Sequence, residues 1–195
     1  SLGYTYIDTG AMYRAVALFA INNGIDAKNE TEKLVSRLNE VEIDIKYTDE
    51  GQQIYLLGEN VSKRIREEDV SVGASNVAVI PEVRKKLVEL QRKMAESANV
   101  IMDGRDICSY VLPNADVKVY LTASVECRAM RRFKELEGKG EACDFEQIRQ
   151  DIQERDERDM TREIAPLKQA EDATLIDSSE MGIDDVVKAI IALTK

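Results

Sequence analysis

Tyr4-Thr-Tyr-Ile-Asp-Thr-Gly-Ala-Met-Tyr-Arg14 reads as a short buried strand ending at Asp8, a Thr9-Gly10 turn, and the start of an amphipathic helix that runs to about Asn23, where Gly24 supplies the stop. The same strand, turn, helix order recurs downstream. Val100-Ile-Met-Asp103 follows a helical pattern over 82–96, Val117-Lys-Val-Tyr-Leu-Thr122 leads into one over 125–137, and Ala173-Thr-Leu-Ile-Asp177 precedes one over 183–193. Strands alternating with helices imply an α/β chain whose parallel sheet is covered on both faces.

One segment breaks that alternation. After a helix expected over 31–40, Val41-Glu-Ile-Asp-Ile-Lys-Tyr47 alternates apolar and polar residues as a half-wet strand does. Thr48 to Gln52 form the turn, Ile54-Tyr-Leu-Leu57 the partner, and a third short strand lies near Val61, so 41–62 is expected as a small antiparallel insertion. Helical patterns resume over 67–79 and again after Pro81. Further on, the break Glu137-Gly-Lys-Gly-Glu141 separates the 125–137 helix from a long polar one over 145–160 and offers a hinge.

Composition narrows the chemistry. The 195 residues contain no histidine, which removes Ser-His-Asp and Cys-His catalysis and most catalytic zinc sites. Carboxylates, Arg, Lys and backbone remain, and phosphoryl transfer suits them, because its catalysis is mainly positioning and neutralisation of charge on oxygen. A net charge of -10 argues against broad nucleic-acid binding, so an anionic substrate needs a local arginine pocket. Three widely spaced cysteines, Cys108, Cys127 and Cys143, form no Cys-x-x-Cys pair and are expected as reduced thiols. No apolar run reaches the roughly 20 residues of a spanning helix, and a soluble cytoplasmic protein is the expectation.

In open parallel sheets ligands sit beyond the carboxyl ends of the strands. The residues placed there are Asp8-Thr-Gly10, Asp103-Gly-Arg-Asp106 and Thr122-Ala-Ser124. Asp103-Gly-Arg-Asp106 reads either as a metal-proximal carboxylate, a glycine for close approach, an arginine for phosphate and a recognition carboxylate, or as a tight turn with internal ion pairs. Arg155, Arg158 and Arg162 fall on one face of the 145–160 helix and its end, with Asp159 beside them. They suit phosphate and ribose oxygens, or pair with Glu154, Asp156, Glu157 and Asp159 on a solvated helix. Arg128, Arg131 and Arg132, beside the glycine break, present the same two readings. Arg14 lies one turn into a helix whose N-terminus favours an anion, and Ser75 and Arg84 flank Pro81.

Taken in order and spacing, these segments resemble one family over nearly the whole chain, bacterial cytidylate kinase of the nucleoside monophosphate kinase group. The resemblance rests on Asp8-Thr-Gly-Ala-Met-Tyr-Arg14, Val61-Ser-Lys-Arg-Ile-Arg66, Met102-Asp-Gly-Arg-Asp-Ile107, Leu112-Pro-Asn-Ala-Asp116, Leu121-Thr-Ala-Ser124, the Arg128 to Arg132 cluster, and Glu154-Arg-Asp-Glu-Arg-Asp159 leading to Arg162-Glu-Ile-Ala-Pro-Leu167.

The resemblance implies a P-loop NTPase-like three-layer α/β fold with a parallel sheet, a single kinase domain over 1–195, an NMP-binding insertion over about 37–76 and a lid over about 128–162. It implies transfer of the γ-phosphoryl group of ATP to CMP and dCMP, with Mg²⁺, in a monomer, while the net charge and the lack of a long apolar run argue for no nucleic-acid and no membrane partner. By position, Thr9, Arg14 and Arg105 hold the CMP phosphate; Ser75, Arg84 and Asp106 read the cytosine edge; and Arg155 and Asp159 meet the ribose. Arg162, Arg131 and Arg132 close on the ATP phosphates and the group in transfer, with Arg128 and Arg158 toward the nucleotide cofactor, and Asp103 orients a metal-bound water. The alternatives are another small-molecule P-loop kinase, such as a uridylate, adenylate or shikimate kinase, and a catalytically inactive nucleotide-binding or interaction module.

Two departures stand out. Cys108-Ser109-Tyr110 replaces the family's usual Gly-Thr and small apolar residue. The family's opening strand and Gly-x-x-x-x-Gly-Lys-[Ser/Thr] phosphate loop have no counterpart, and Ser1-Leu-Gly-Tyr4 reads as the end of the helix that follows that loop. The expectation is an intact protein with about 25 more residues, the length of a strand and phosphate loop opening a helix.

Overall fold

Asp8 closes strand β1 (Thr5–Asp8) and caps helix α1 (Thr9–Asn22), its carboxylate accepting the Ala11 N–H at 3.0 Å. The computed structural model describes residues 3–49 and 51–194, in two compact units, Ser1–Ile107 and Cys108–Lys195. The reading of Ser1 and Leu2 as a helix end, and that of Glu50 as part of a turn, fall outside the described residues.

In the first unit α1 is apolar on nearly every side, with Ala11, Met12 and Ala15 through Ala20 buried, and so forms the centre of the core. Gly24 ends it at φ +61°, a left-handed position, while the Ile25 N–H bonds the Ala20 carbonyl at 2.9 Å. The helix expected over 31–40 is divided: α2 (Thr31–Ser36) gives way to a 3-10 turn, Leu38–Glu40. Arg37 leaves helical geometry between them, pairs with the Glu40 carboxylate at 2.6 Å and lies 5.4 Å over the Phe19 ring. Such contacts are invisible to helical periodicity.

The insertion is an antiparallel sheet of β2 (Ile43–Thr48), β3 (Gly51–Leu56) and β4 (Glu59–Asn60), with Ile43 opposite Leu56 and Tyr47 opposite Gln52. The third strand precedes Val61, although the Val61 N–H still reaches the Ile54 carbonyl at 2.9 Å. A 3-10 turn, Arg64–Arg66, then α3 (Glu68–Val77) and α4 (Pro81–Glu96) lead to β5 (Val100–Asp103). Gly73 lets α3 lie against α1, since a Cβ there would stand 3.2 Å from that of Ala17. β5 runs parallel to β1 with Asp8 opposite Asp103, so two carboxylates end side by side at the carboxyl edge.

A π-helical turn, Ile107–Val111, follows at the Cys108-Ser109-Tyr110 departure, where the sequence offered no periodic signal. In the second unit, β6 (Val119–Thr122) is followed by α5 (Val125–Gly138), α6 (Phe145–Thr161), β7 (Thr174–Asp177) and α7 (Ile183–Ala192). Ser124 caps α5 and Asp144 caps α6 through side-chain oxygens. The glycine break is present, with Gly140 at φ +75°, and across it Phe133 and Phe145 meet edge to face at 6.2 Å.

β6 and β7 pair in parallel. The parallel strands expected in one sheet thus form two separate ladders, β1-β5 and β6-β7. Tyr6 and Ile101 on the first, and Leu121 and Leu175 on the second, are exposed. Which strands share hydrogen bonds is a long-range choice that alternation along the chain does not encode. The α/β class holds, with an antiparallel insertion as expected. Among the described residues no helix is long and apolar enough to cross a membrane.

Candidate active site

In the first unit the carboxyl ends of β1 and β5 bring Asp8, Thr9, Arg14, Asp103, Arg105 and Asp106 into one region. The β1–α1 turn is tied to β5 by the buried Thr9 hydroxyl, which donates to the Asp103 carbonyl at 2.7 Å. Gly104 makes that approach possible, because a Cβ on it would lie 2.4 Å from Thr9 Oγ1. Asp8 serves two partners, with Oδ1 accepting the Ala11 N–H and Oδ2 holding the Arg14 guanidinium at 2.8 Å.

Arg84, on α4, is 2% exposed, and its Nη2 meets Asp106 Oδ2 at 2.5 Å in a buried ion pair. Its Nη1 donates to the Ala78 carbonyl at 3.2 Å, and the guanidinium lies 6.0 Å over the Tyr13 ring. Ser75 is half-buried on α3, on the other side of Pro81. Among the described residues of the first unit, two buried guanidinium donors have no hydrogen-bond partner, Arg14 Nε and Arg84 Nε. Orphaned donors of this kind are rare because each forfeits its solvation, and they are satisfied when an acceptor arrives.

Loss of solvation around the carboxylate of Asp103, whose residue stays exposed on one side, and next the charge of Asp8, raise its pKa, while the Tyr6 hydroxyl that donates to it at 3.1 Å and the exposed Arg105 act the other way. Tyr6 is raised as well, first by partial loss of solvation around its otherwise exposed side chain and then by Asp103.

In the second unit the arginines are largely engaged by the protein itself. Arg128 forks onto Asp156 at 3.1 and 2.6 Å and donates to the Ala123 carbonyl, tying α5 to α6. Arg131 donates to the Ser178 carbonyl at 2.5 Å and to the Met181 carbonyl at 3.5 Å, and Arg132 meets Glu135 at 3.1 Å. On α6, Arg155 and Arg158 are exposed, and Arg158 Nε donates to the Glu154 carbonyl at 3.3 Å. Arg162 lies past the end of α6 with extended backbone, so the expected row of three on one helix face is two residues and a capping one. Its side chain, 6% exposed, donates to the Ala165 carbonyl at 2.8 Å and stands 3.6 Å from Asp159. Asp156 pairs with α5 and not with its own helix, which neither sequence reading anticipated.

The sequence profile of cytidylate kinase matches residues 1–195. The chain is 49% identical over 192 residues to the cytidylate kinase of Caldicellulosiruptor bescii, covering 98% of this chain and 84% of the relative. It is 47% identical over 194 residues to that of Shouchella clausii and 45% over 195 residues to that of Anoxybacillus flavithermus, covering 100% of this chain and 86% of each relative. The chain belongs to the cytidylate kinase family.

Cytidylate kinase membership sets aside the uridylate, adenylate and shikimate kinase alternatives. In this cytidylate kinase chain three further side chains enter the region around Asp8, Tyr6, Tyr47 and Gln52, and no motif marks them. Strand alternation alone hinted that Tyr47 shares a face with the buried Ile43.

The raised pKa of Asp103 has a signed consequence. The folded state holds this proton more tightly than the unfolded chain does, so ionisation of Asp103 works against folding as pH rises out of the ordinary carboxylate range. Asp103→Asn is expected to raise the melting temperature at neutral pH, with the gain fading in acid, where both states are protonated. An unchanged or lower melting temperature at neutral pH would contradict it.

Proposed function

We propose that this chain moves the γ-phosphoryl group of ATP onto CMP and dCMP, giving CDP and dCDP, and that it does so as a monomer acting on free nucleotides. The observation that carries the reading is the pair of orphaned, buried Nε–H donors on Arg14 and Arg84. These are the arginines assigned to the CMP phosphate and to the cytosine edge. Cytosine presents an amino donor beside two acceptors, a pattern that Asp106 and Arg84 complement, with the Ser75 hydroxyl as a third partner. Thr9, Arg14 and Arg105 are assigned to the phosphate, and Arg155 and Asp159 to the ribose.

Toward the triphosphate the assignments are Arg131, Arg132 and Arg162, with Arg128 and Arg158 in support. Guanidinium groups neutralise charge that spreads over the equatorial oxygens during transfer. Arg128 acts in this reading by holding α6 through Asp156, and Arg131 would exchange its carbonyl partners for phosphate oxygens.

The residues present fit Mg²⁺ as a companion of ATP. Among the described residues no group of three or more His, Cys, Asp or Glu is placed to hold a metal. Mg²⁺ in phosphoryl-transfer sites characteristically uses one or two carboxylates plus substrate phosphates and water. With Asp8 committed to Ala11 and Arg14, Asp103 is the carboxylate that would orient a metal-bound water, and a cation would offset the lost solvation and the Asp8 charge that raise its pKa. A bound Mg²⁺ would supply positive charge to offset the charge that develops during transfer, with Asp103 holding its water and Arg131, Arg132 and Arg162 sharing the neutralisation.

The test is a coupled turnover assay with Mg-ATP. CMP and dCMP are expected to exceed AMP and UMP in kcat/KM by about a hundredfold or more, because a wrong base edge leaves buried polar groups unpaired. Comparable turnover of AMP would sink the assignment. The inactive-module alternative has no observation in its favour.

A further inference from the structure

The hairpin of the insertion ends in a polar pair. Along its core-facing side Ile43 opposes Leu56 and Ile45 opposes Ile54, and at the tip the same face carries Tyr47 opposite Gln52. Both polar tips reach the free edge of β1. The Tyr47 hydroxyl donates to the Tyr6 carbonyl at 2.9 Å, and Gln52 Oε1 accepts the Asp8 N–H at 2.9 Å.

These two contacts have the form of strand pairing. In β1 the Thr5 N–H points toward β5, where it bonds the Asn99 carbonyl at 2.9 Å, so the backbone groups of Tyr6 and Asp8 face outward. A neighbouring parallel strand would place one residue between them, donating to the carbonyl of Tyr6 and accepting from the N–H of Asp8. Tyr47 supplies the donor and Gln52 the acceptor. Two side chains therefore stand in for a strand on an edge that would otherwise be open.

The edge they close ends at Asp8, which positions Arg14. We propose that Gln52, aided by Tyr47, is a positioning residue for phosphate binding, and that it acts by fixing the Asp8 backbone so that the Asp8 carboxylate presents the Arg14 guanidinium. The inference rests on the reading of Arg14 as a ligand of the CMP phosphate. It gives the insertion a task beyond surrounding the nucleotide, since its hairpin sets the geometry of a helix N-terminus and an arginine on the parallel ladder. Gln52 is half-buried and carries the larger share, whereas Tyr47 is 48% exposed and water competes for its bond.

The experiment is calorimetric binding of CMP and of cytidine, which lacks the phosphate, to the 195-residue chain and to Gln52→Met, Tyr47→Phe and Arg14→Met, with melting temperatures as the folding control. Gln52→Met is expected to weaken CMP by about three- to tenfold, the range of one net hydrogen bond, while leaving cytidine unchanged. Tyr47→Phe, which removes only a hydroxyl, should shift the CMP to cytidine ratio in the same direction by less. Equal weakening of CMP and cytidine, or an unchanged ratio in Gln52→Met when Arg14→Met collapses it, would overturn the positioning role alone. An unchanged ratio in Arg14→Met would overturn the reading of Arg14, and the positioning role with it.

Discussion

Asp106→Ala is expected to lower the free energy of unfolding by about 3–5 kcal/mol, the cost of leaving one partner of a buried ion pair uncompensated. The pair qualifies because the Arg84 side chain is 2% exposed and that of Asp106 8%. Without the carboxylate, Arg84 would keep the Ala78 carbonyl and the Tyr13 ring, neither of which neutralises its charge. Urea denaturation measures the loss, and a change below about 1 kcal/mol would show that the pair is not buried in solution. Asp106→Asn retains an acceptor and should lose less.

Recognition separates from stability in a double variant. Replacing both partners by apolar residues, Arg84→Met with Asp106→Leu, removes the stranded charge and should recover much of the stability lost in Asp106→Ala. The same protein should no longer prefer CMP over UMP, because the Ser75 hydroxyl left at the base edge donates and accepts alike and so does not distinguish an amino group from a carbonyl. A double variant that kept the preference would disqualify both residues as readers of cytosine.

Gly104→Ala is the second large effect. Although Gly104 is exposed, an added Cβ would stand 2.4 Å from Oγ1 of the buried Thr9, and 2.9 Å from Cδ1 and 3.0 Å from Cγ1 of the buried Ile107. Something must move, and Thr9 is held by its bond to the Asp103 carbonyl. The expected loss is about 1–3 kcal/mol, the usual cost of overpacking. Thr9→Ala in the same chain removes the closest clash, so the double variant should be more stable than the sum of the two single losses allows. Thermal denaturation of the four proteins closes the cycle, and a Gly104→Ala protein as stable as the parent would refute the close packing of this turn.

Local chemistry explains why so many elements are legible in the sequence. The strand endings at Asp8 and Asp103, the stop at Gly24, the start at Pro81 and the break near Gly140 each depend on one or two residues acting on neighbouring backbone. Hydrophobic alternation likewise placed β2 and β3, because period two is a property of the strand itself. Failures occurred where distant contacts intervene. The 31–40 helix is interrupted at Arg37, which lies over the Phe19 ring of another helix, and the π-helical turn at Ile107–Val111 had no periodic signature.

The sequence by itself determined the order of elements, the carboxyl-end residues open to chemistry, the exclusion of histidine-based catalysis, and the motif series that places the chain among the cytidylate kinases. Tertiary structure alone decided which charges meet. Spacing could not tell whether Arg128, Arg131 and Arg158 stood free, and folding gave Arg128 to Asp156, Arg131 to the Ser178 carbonyl and Arg158 to the Glu154 carbonyl. Arg84 and Asp106, 22 residues apart, became a buried pair, and Tyr47 and Gln52 came to close the edge of β1. The physical reason is the range of the forces: caps and periodicity act within a turn or two of chain, whereas an ion pair or an edge contact forms only after packing has excluded water and brought remote segments within about 3 Å.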